Sequence, residues 1–182
     1  MLELENTPLK DCFLLKPSVF EDNRGSFYES YNKERFEKLT GLQVDFAQDN
    51  QSTSSRGVLR GFHFQTGEFA QAKLVRCVYG EVLDVVVDLR PGSPTYKMNY
   101  KVVLSHENNY QLFVPRGFAH GFLTLSESSV FAYKCDQYYN REAESGIIWN
   151  DRTLAVNWEF PKEEIILSEK DAALPTFKDP QK

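Results

Sequence analysis

The sequence predicts an all-β protein, a jelly-roll β-barrel with a few short helices, and three observations carry that prediction. Short runs of β-branched and aromatic residues follow one another from about residue 44 to 136. Turn residues such as Tyr79-Gly80-Glu81 and Arg90-Pro91-Gly92-Ser93-Pro94 punctuate them. Helical apolar spacing is brief wherever it occurs. Many short strands with regular turns are the pattern of a sandwich or barrel. With no repeat, linker or low-complexity tract, residues 1–182 read as a single domain.

In chain order, an opening strand is expected around 12–15. Asn23-Arg24-Gly25 reads as a turn, and 27–30 as an edge strand. A helix is expected over 32–40: Asn32 can cap it, Phe36 and Leu39 give an apolar i, i+3 pair, and Gly41 ends it. Strands are then expected at 44–47, 57–64, 72–79, 82–89, 100–104, 111–114, 120–125 and 131–136. A weak helix closes the list at 169–173.

Composition excludes several classes. Of 182 residues, 41% are hydrophobic and 14% aromatic, enough for a core. The net charge of −5 without a Lys/Arg run argues against nucleic acid as a partner, yet leaves room for a small anion held by a local Arg/Lys cluster. No signal peptide is visible and no apolar run approaches the roughly 20 residues of a membrane span, so no membrane partner is expected. Cys12, Cys77 and Cys135 are odd in number and lack CxxC spacing, which favours reduced thiols in a cytoplasm.

The chemistry centres on Val58-Leu59-Arg60-Gly61-Phe62-His63-Phe64-Gln65, an apolar strand that carries an arginine, a histidine and a glutamine. Strand parity puts Lys73 with Val75 and Cys77, and Tyr133 with Phe131 and Cys135, so a lysine and a tyrosine fall on inward faces. The same parity sends Arg60 and His63 to opposite faces. Either a bulge intervenes or Arg60 serves elsewhere, such as a neighbouring subunit. Pro115-x-Gly117-x-x-His120 resembles the second motif of the cupin superfamily, whose barrels often hold a metal. Gln65, however, stands where the first motif needs its second histidine. Two histidines without a third ligand make a poor site for Fe, Mn or Zn, so no metal or other cofactor is expected. The plainer alternative is that His63 and His120 are core histidines, with His106 in a solvated turn. A metal-free barrel offering His, Lys and Tyr suits proton transfer beside a carbonyl. The histidine abstracts a C–H proton if a carboxylate orients it, the lysine stabilises the enolate oxygen, and the tyrosine returns a proton to the opposite face.

Seven motifs in order resemble the dTDP-4-dehydrorhamnose 3,5-epimerase family from about Val19 to Pro175. They are Arg24-Gly25-x-Phe27-x-Glu29-Ser30-Tyr31-Asn32, Gln48-Asp49-Asn50, Val58-Leu59-Arg60-Gly61-x-His63-Phe64-Gln65, Lys73-Leu74-Val75-Arg76, Pro115-x-Gly117-Phe118-Ala119-His120-Gly121-Phe122, Tyr133-Lys134 and Leu167-Ser168-x-Lys170-Asp171. The chain departs from the family at Phe62, Ala72 and Met98-Asn99-Tyr100, none of them a proposed catalytic group.

The resemblance implies an isomerase of dTDP-L-rhamnose synthesis that acts at C3 and C5 of dTDP-4-dehydro-6-deoxy-D-glucose. It implies His63 as base with Asp171 behind it, Tyr133 as acid and Lys73 at the enolate. His120 belongs to the same pocket, as does Asp84, for which an ordinary strand carboxylate is the alternative. Arg24, Phe27, Glu29, Gln48, Asp49, Asn50, Arg60, Glu144 and Lys170 would bind the nucleotide sugar, with Arg24, Arg60 and Lys170 at the diphosphate. Tyr139 would stack on the thymine or merely pack in its loop. A homodimer with exchanged N-terminal strands is implied as well. The competing readings are an epimerase acting at one carbon only, a non-catalytic ligand-binding cupin, and a metal-dependent dioxygenase.

Overall fold

The computed structural model describes residues 2–179 and consists mainly of two antiparallel sheets. The strands are β1 (Leu2–Asn6), β2 (Phe13–Pro17), β3 (Phe20–Asp22), β4 (Gly25–Phe27), β5 (Gln48–Ser55), β6 (Leu59–Gln65), β7 (Lys73–Tyr79), β8 (Glu81–Asp88), β9 (Asn99–Ser105), β10 (Gln111–Val114), β11 (Phe118–Thr124), β12 (Ser128–Cys135) and β13 (Glu144–Gly146). One sheet runs β1-β2-β10-β7-β12-β5 and the other β13-β6-β11-β8-β9. Neighbouring strands distant in sequence, such as β2 beside β10, are the jelly-roll signature.

Alternation along the strands builds three apolar layers. Val75, Cys77, Leu112, Val114 and Phe131 of the six-stranded sheet meet Val82, Val86, Leu104, Phe118 and Phe122 of the other, forming the interior. The outward residues Leu83, Val85, Val87, Ala119 and Leu123 are covered by the C-terminal segment through Ile147, Leu154 and Trp158. Leu15, Leu74 and Phe113, outward on the six-stranded sheet, are covered by Phe36, Val44 and Phe46.

Helix α1 (Lys33–Thr40) begins where expected, the Asn32 side chain accepting the Arg35 N–H at 3.1 Å. It ends at Gly41, whose φ of 70° suits a residue without a Cβ. Phe36 is buried beneath it, but Leu39 stays 38% exposed, so the expected apolar pair is half realised. Helix α2 (Glu169–Ala172) lies at the expected C-terminal position.

Two expectations need correction, and four strands lie where none is expected. Residues 44–47 form no strand, and Val44 and Phe46 instead pack under α1. The expected edge strand at 27–30 ends at Phe27, because β3 and β4 form a separate two-stranded ribbon. Strand β5 went unseen because Gln-Asp-Asn-Gln-Ser-Thr-Ser-Ser has almost no β-propensity. Pairing with β12 along its whole length holds it. Strands β1, β3 and β13 are likewise outside the expected set. No helix among the described residues is long and apolar enough to cross a membrane.

Candidate active site

A cleft of about 330 Å³ opens between the two sheets, within the size range of small-molecule sites. His63 and Arg60 come from β6, His120 from β11, Lys73 from β7, Tyr133 from β12, and Lys170 and Asp171 from α2; Tyr139 and Glu144 stand with them. His63 lies on one sheet and Tyr133 on the other.

The parity problem of Arg60 resolves as a bulge. On β11, His120 is opposite His63 while Phe122 is opposite Arg60, so β6 carries one extra residue across this stretch. Leu59 and Phe62 therefore both face outward against Trp158, and Arg60 and His63 both line the cleft. Gly61 makes this possible: a Cβ there would lie 2.6 Å from the Gly121 Cα. Arg60 donates to the Ser54 hydroxyl at 3.1 Å and to the Thr53 carbonyl at 3.3 Å.

His63 Nε2 lies 2.5 Å from Asp171 Oδ1, which leaves the ring's Nδ1 for a ligand. Burial alone would raise the Asp171 carboxyl, but the hydrogen bond and charge of His63, aided by the Ser168 hydroxyl, hold it below the usual carboxylate range. Ser168 caps α2 by accepting the Asp171 N–H at 3.0 Å, so the cap that starts the helix also sets the carboxylate. Burial pushes Lys73 below the usual lysine range and Tyr133 above the usual tyrosine range. The Lys73 Nζ is 5.7 Å from the centroid of the Tyr133 ring. A lysine that gives up its proton more readily and a phenol that keeps its own are both hydrogen-bond donors toward the cleft.

His120 Nε2 meets Asp84 Oδ2 at 2.8 Å, with Asp84 fully buried and its Oδ1 without a partner. Asp84 is thus an interior group and not an exposed strand carboxylate. At the mouth, Glu144 accepts from the Tyr139 hydroxyl at 2.9 Å and from Lys170 at 2.6 Å. Burial raises the Glu144 carboxyl, but these two partners outweigh it and the net shift is downward. Tyr139 is 54% exposed, and its ring is not packed away.

Gln65, the residue that stands in for a ligand histidine, is a loop anchor. It donates to the Phe69 and Tyr138 carbonyls and accepts the Asn140 N–H, which fixes the turn that presents Tyr139. Gln48 accepts the Tyr139 N–H at 3.0 Å and donates to Asn50 at 3.0 Å. Asp49, one residue on, points to the outer face and pairs with Lys134 at 3.0 Å. Arg24, Phe27 and Glu29 also lie outside this chain's cleft. Arg24 pairs with Asp22 inside its own ribbon, Phe27 is 71% exposed, and Glu29 meets Arg35. Ser52 and Ser168 line the cleft without having been singled out for a role. The sequence offered a signal for Ser168, the Ser-x-x-Asp cap pattern, and none for Ser52.

Among the described residues no three His, Cys, Asp or Glu side chains converge as a metal-ligand set. Fold and site together define a cupin-like jelly roll whose cleft carries acid–base groups. The chain belongs to the dTDP-4-dehydrorhamnose 3,5-epimerase family, an isomerase family whose match spans residues 6–179. It is 51% identical over 175 residues to the dTDP-4-dehydrorhamnose 3,5-epimerase of Salmonella typhimurium, covering 96% of this chain and 95% of that one. The crystal structure of the enzyme of that name from Elizabethkingia anophelis NUHP1 superposes with a TM-score of 0.94 at 55% identity, covering 100% and 99% of the two chains. A dTDP-6-deoxy-D-glucose-3,5-epimerase from Legionella pneumophila, solved in complex with dTDP-4-keto-L-rhamnose, gives a TM-score of 0.91 at 42% identity, covering 98% and 100%.

Proposed function

We propose that this cleft epimerises dTDP-4-dehydro-6-deoxy-D-glucose at C3 and C5, giving dTDP-4-dehydro-L-rhamnose, without a metal or other cofactor. One observation carries the reading: His63, backed by Asp171 of α2, and Tyr133 stand on opposite sheets and line one cleft, so a sugar ring between them offers one face to each.

Both C–H bonds flank the C4 ketone, and one arrangement of groups serves both. His63 takes the proton, and Asp171 stabilises the imidazolium that forms. The electron pair moves onto the ketone oxygen, where Lys73 donates a hydrogen bond to the enolate. Tyr133 then protonates the carbon from the other face, inverting it. The cycle leaves an imidazolium and a phenolate, and solvent at the open mouth resets both. Lys73 and His120 converge on the polar end of the ring, while Arg60 and Lys170 address the diphosphate. Tyr139 stacks on the thymine, within reach of Gln48, Asn50 and Glu144.

Arg24, Phe27 and Glu29 fit a second role. The ribbon that carries Arg24 and Phe27, with Glu29 just after it, belongs to neither large sheet, and Phe20 within it is 63% exposed. An apolar cavity of about 730 Å³ lies between this ribbon, α1 and the six-stranded sheet, away from the acid–base groups. We infer a homodimer in which the N-terminal ribbons are exchanged, each completing the partner's site and covering apolar surface of this kind. Asp49 then belongs to the outer face and the subunit contact. A single domain working in the cytoplasm is the setting we assign.

Turnover in D₂O tests the reaction. Deuterium at both C3 and C5 of the product is expected. Label at one carbon alone makes the protein a single-site epimerase, and no label at all makes it a binding protein.

A further inference from the structure

The segment that follows α2 does more than end the fold. A helix of four residues cannot hold itself, so its orientation must come from its neighbours. Ser168 secures its start. Beyond its end, residues 173–179 run along the segment after β13 and are moored at four points. Leu174 fits over Gly146, where an added Cβ would come within 2.6 Å of the Leu174 side chain and 2.7 Å of the Phe62 carbonyl. Gly146 is itself the register partner of His63. The Pro175 carbonyl accepts the Ile148 N–H at 2.9 Å. The Phe177 N–H donates to Asp151 Oδ2 at 2.8 Å. Asp179 takes the Tyr96 hydroxyl at 2.9 Å and the Lys97 ammonium at 2.5 Å.

Asp151 is the central mooring. It is 5% exposed, and its other oxygen accepts the Thr153 and Leu154 N–H groups at 2.8 and 3.0 Å. One buried carboxylate thereby ties the covering layer of the five-stranded sheet to the strap that leads back to Asp171. No group of the reaction touches it.

We propose that residues 173–179 form a strap that sets the position of the Asp171 carboxylate against His63, and that Asp151 is the positioning residue on which this strap depends. The proposal rests on the reading of His63–Asp171 as the base. Asp151→Asn is the sharpest test. Its amide oxygen still accepts from Thr153 and Leu154, but its NH₂ confronts the Phe177 N–H. The variant should lower kcat by up to about 10²-fold, the scale for displacing a reacting group by about an ångström, with KM little changed. In an Asp171→Asn background the same substitution should have no further effect on kcat, because the group it positions is gone. An equal loss in both backgrounds makes Asp151 a merely structural residue and overturns the proposal.

If Asp151→Asn does not fold, Asp179→Ala frees the far end of the strap without entering the core. A smaller loss of kcat, again absent beside Asp171→Asn, supports the proposal; an unchanged kcat overturns it. The underlying reading fails separately. If Asp171→Asn alone leaves kcat untouched, the base assignment falls. A loss with Asp171→Asn that no strap variant reproduces removes only the strap.

Discussion

Two histidine–carboxylate pairs sit side by side, since His63 and His120 are direct register partners on β6 and β11. Their carboxylates come from different places. Asp84 lies on β8, the next strand of the same sheet, and is fully buried, with one oxygen left without a partner. Asp171 comes from a short helix 108 residues further along the chain, and the His63 side chain keeps 32% of its surface exposed. A pair locked inside a sheet can hold a dipole in place but exchanges protons poorly with solvent. A pair at the cleft wall, backed by a carboxylate on a tethered helix, can take a proton and release it. Under the proposed mechanism the same two residue types serve different purposes, according to where the carboxylate is anchored.

Substitutions can break this contrast, and the largest effect is expected at His63. His63→Ala should cost roughly 10²–10⁴-fold in kcat/KM, the range for removing a general base, while circular dichroism and the melting temperature stay near those of the parent. Retained turnover would show that His63 is not the base.

Tyr133→Phe sharpens the mechanism next. Substrate C–H protons should still wash out into D₂O through His63, but epimerised product should form slower by a factor within the same range. Parallel loss of exchange and inversion would contradict separate acid and base.

At the inner pair the effect should fall on stability. Asp84→Ala leaves the buried His120 ring without its acceptor and should lower unfolding stability by about 3 kcal/mol, read from a urea melt. A change in turnover with an unaltered melt would erase the distinction between the pairs.

The smallest effect concerns acid. Asp171 has its folded-state pKa held below the ordinary value of 3.8, so it contributes stability that is present above that value and is lost as pH falls through the folded pKa. The stability difference between the parent and Asp171→Asn should therefore shrink as the pH falls below about 4. A difference that grows on acidification would reverse the sign of the coupling.

Much of this was legible in the primary structure. Strands β6 to β12 were readable because Val, Leu, Phe and Tyr recur in short runs between turn residues; β8 and β11, buried along nearly their whole length, read as continuous runs and not as half-buried alternation. Parity alone brought Lys73 and Tyr133 inward, and Asn32 and Gly41 bracketed α1. Gln65 in place of a histidine led to the expectation of no metal, and the family resemblance implied the roles proposed above.

What only the tertiary structure decided depends on partners far apart in sequence. β5 is polar along its whole length, with Ser52 at the cleft, so neither apolar period nor propensity marks it, and pairing with β12 makes it a strand. The bulge that swings Arg60 to the side of His63 arises from the contact of Gly61 with Gly121, which strand parity cannot express. Pairing of Asp84 with His120 and of Asp171 with His63 needs sheets and helix already assembled. Local sequence determines which way a side chain points along its own strand. Which carboxylate waits opposite it is decided only when the chain closes.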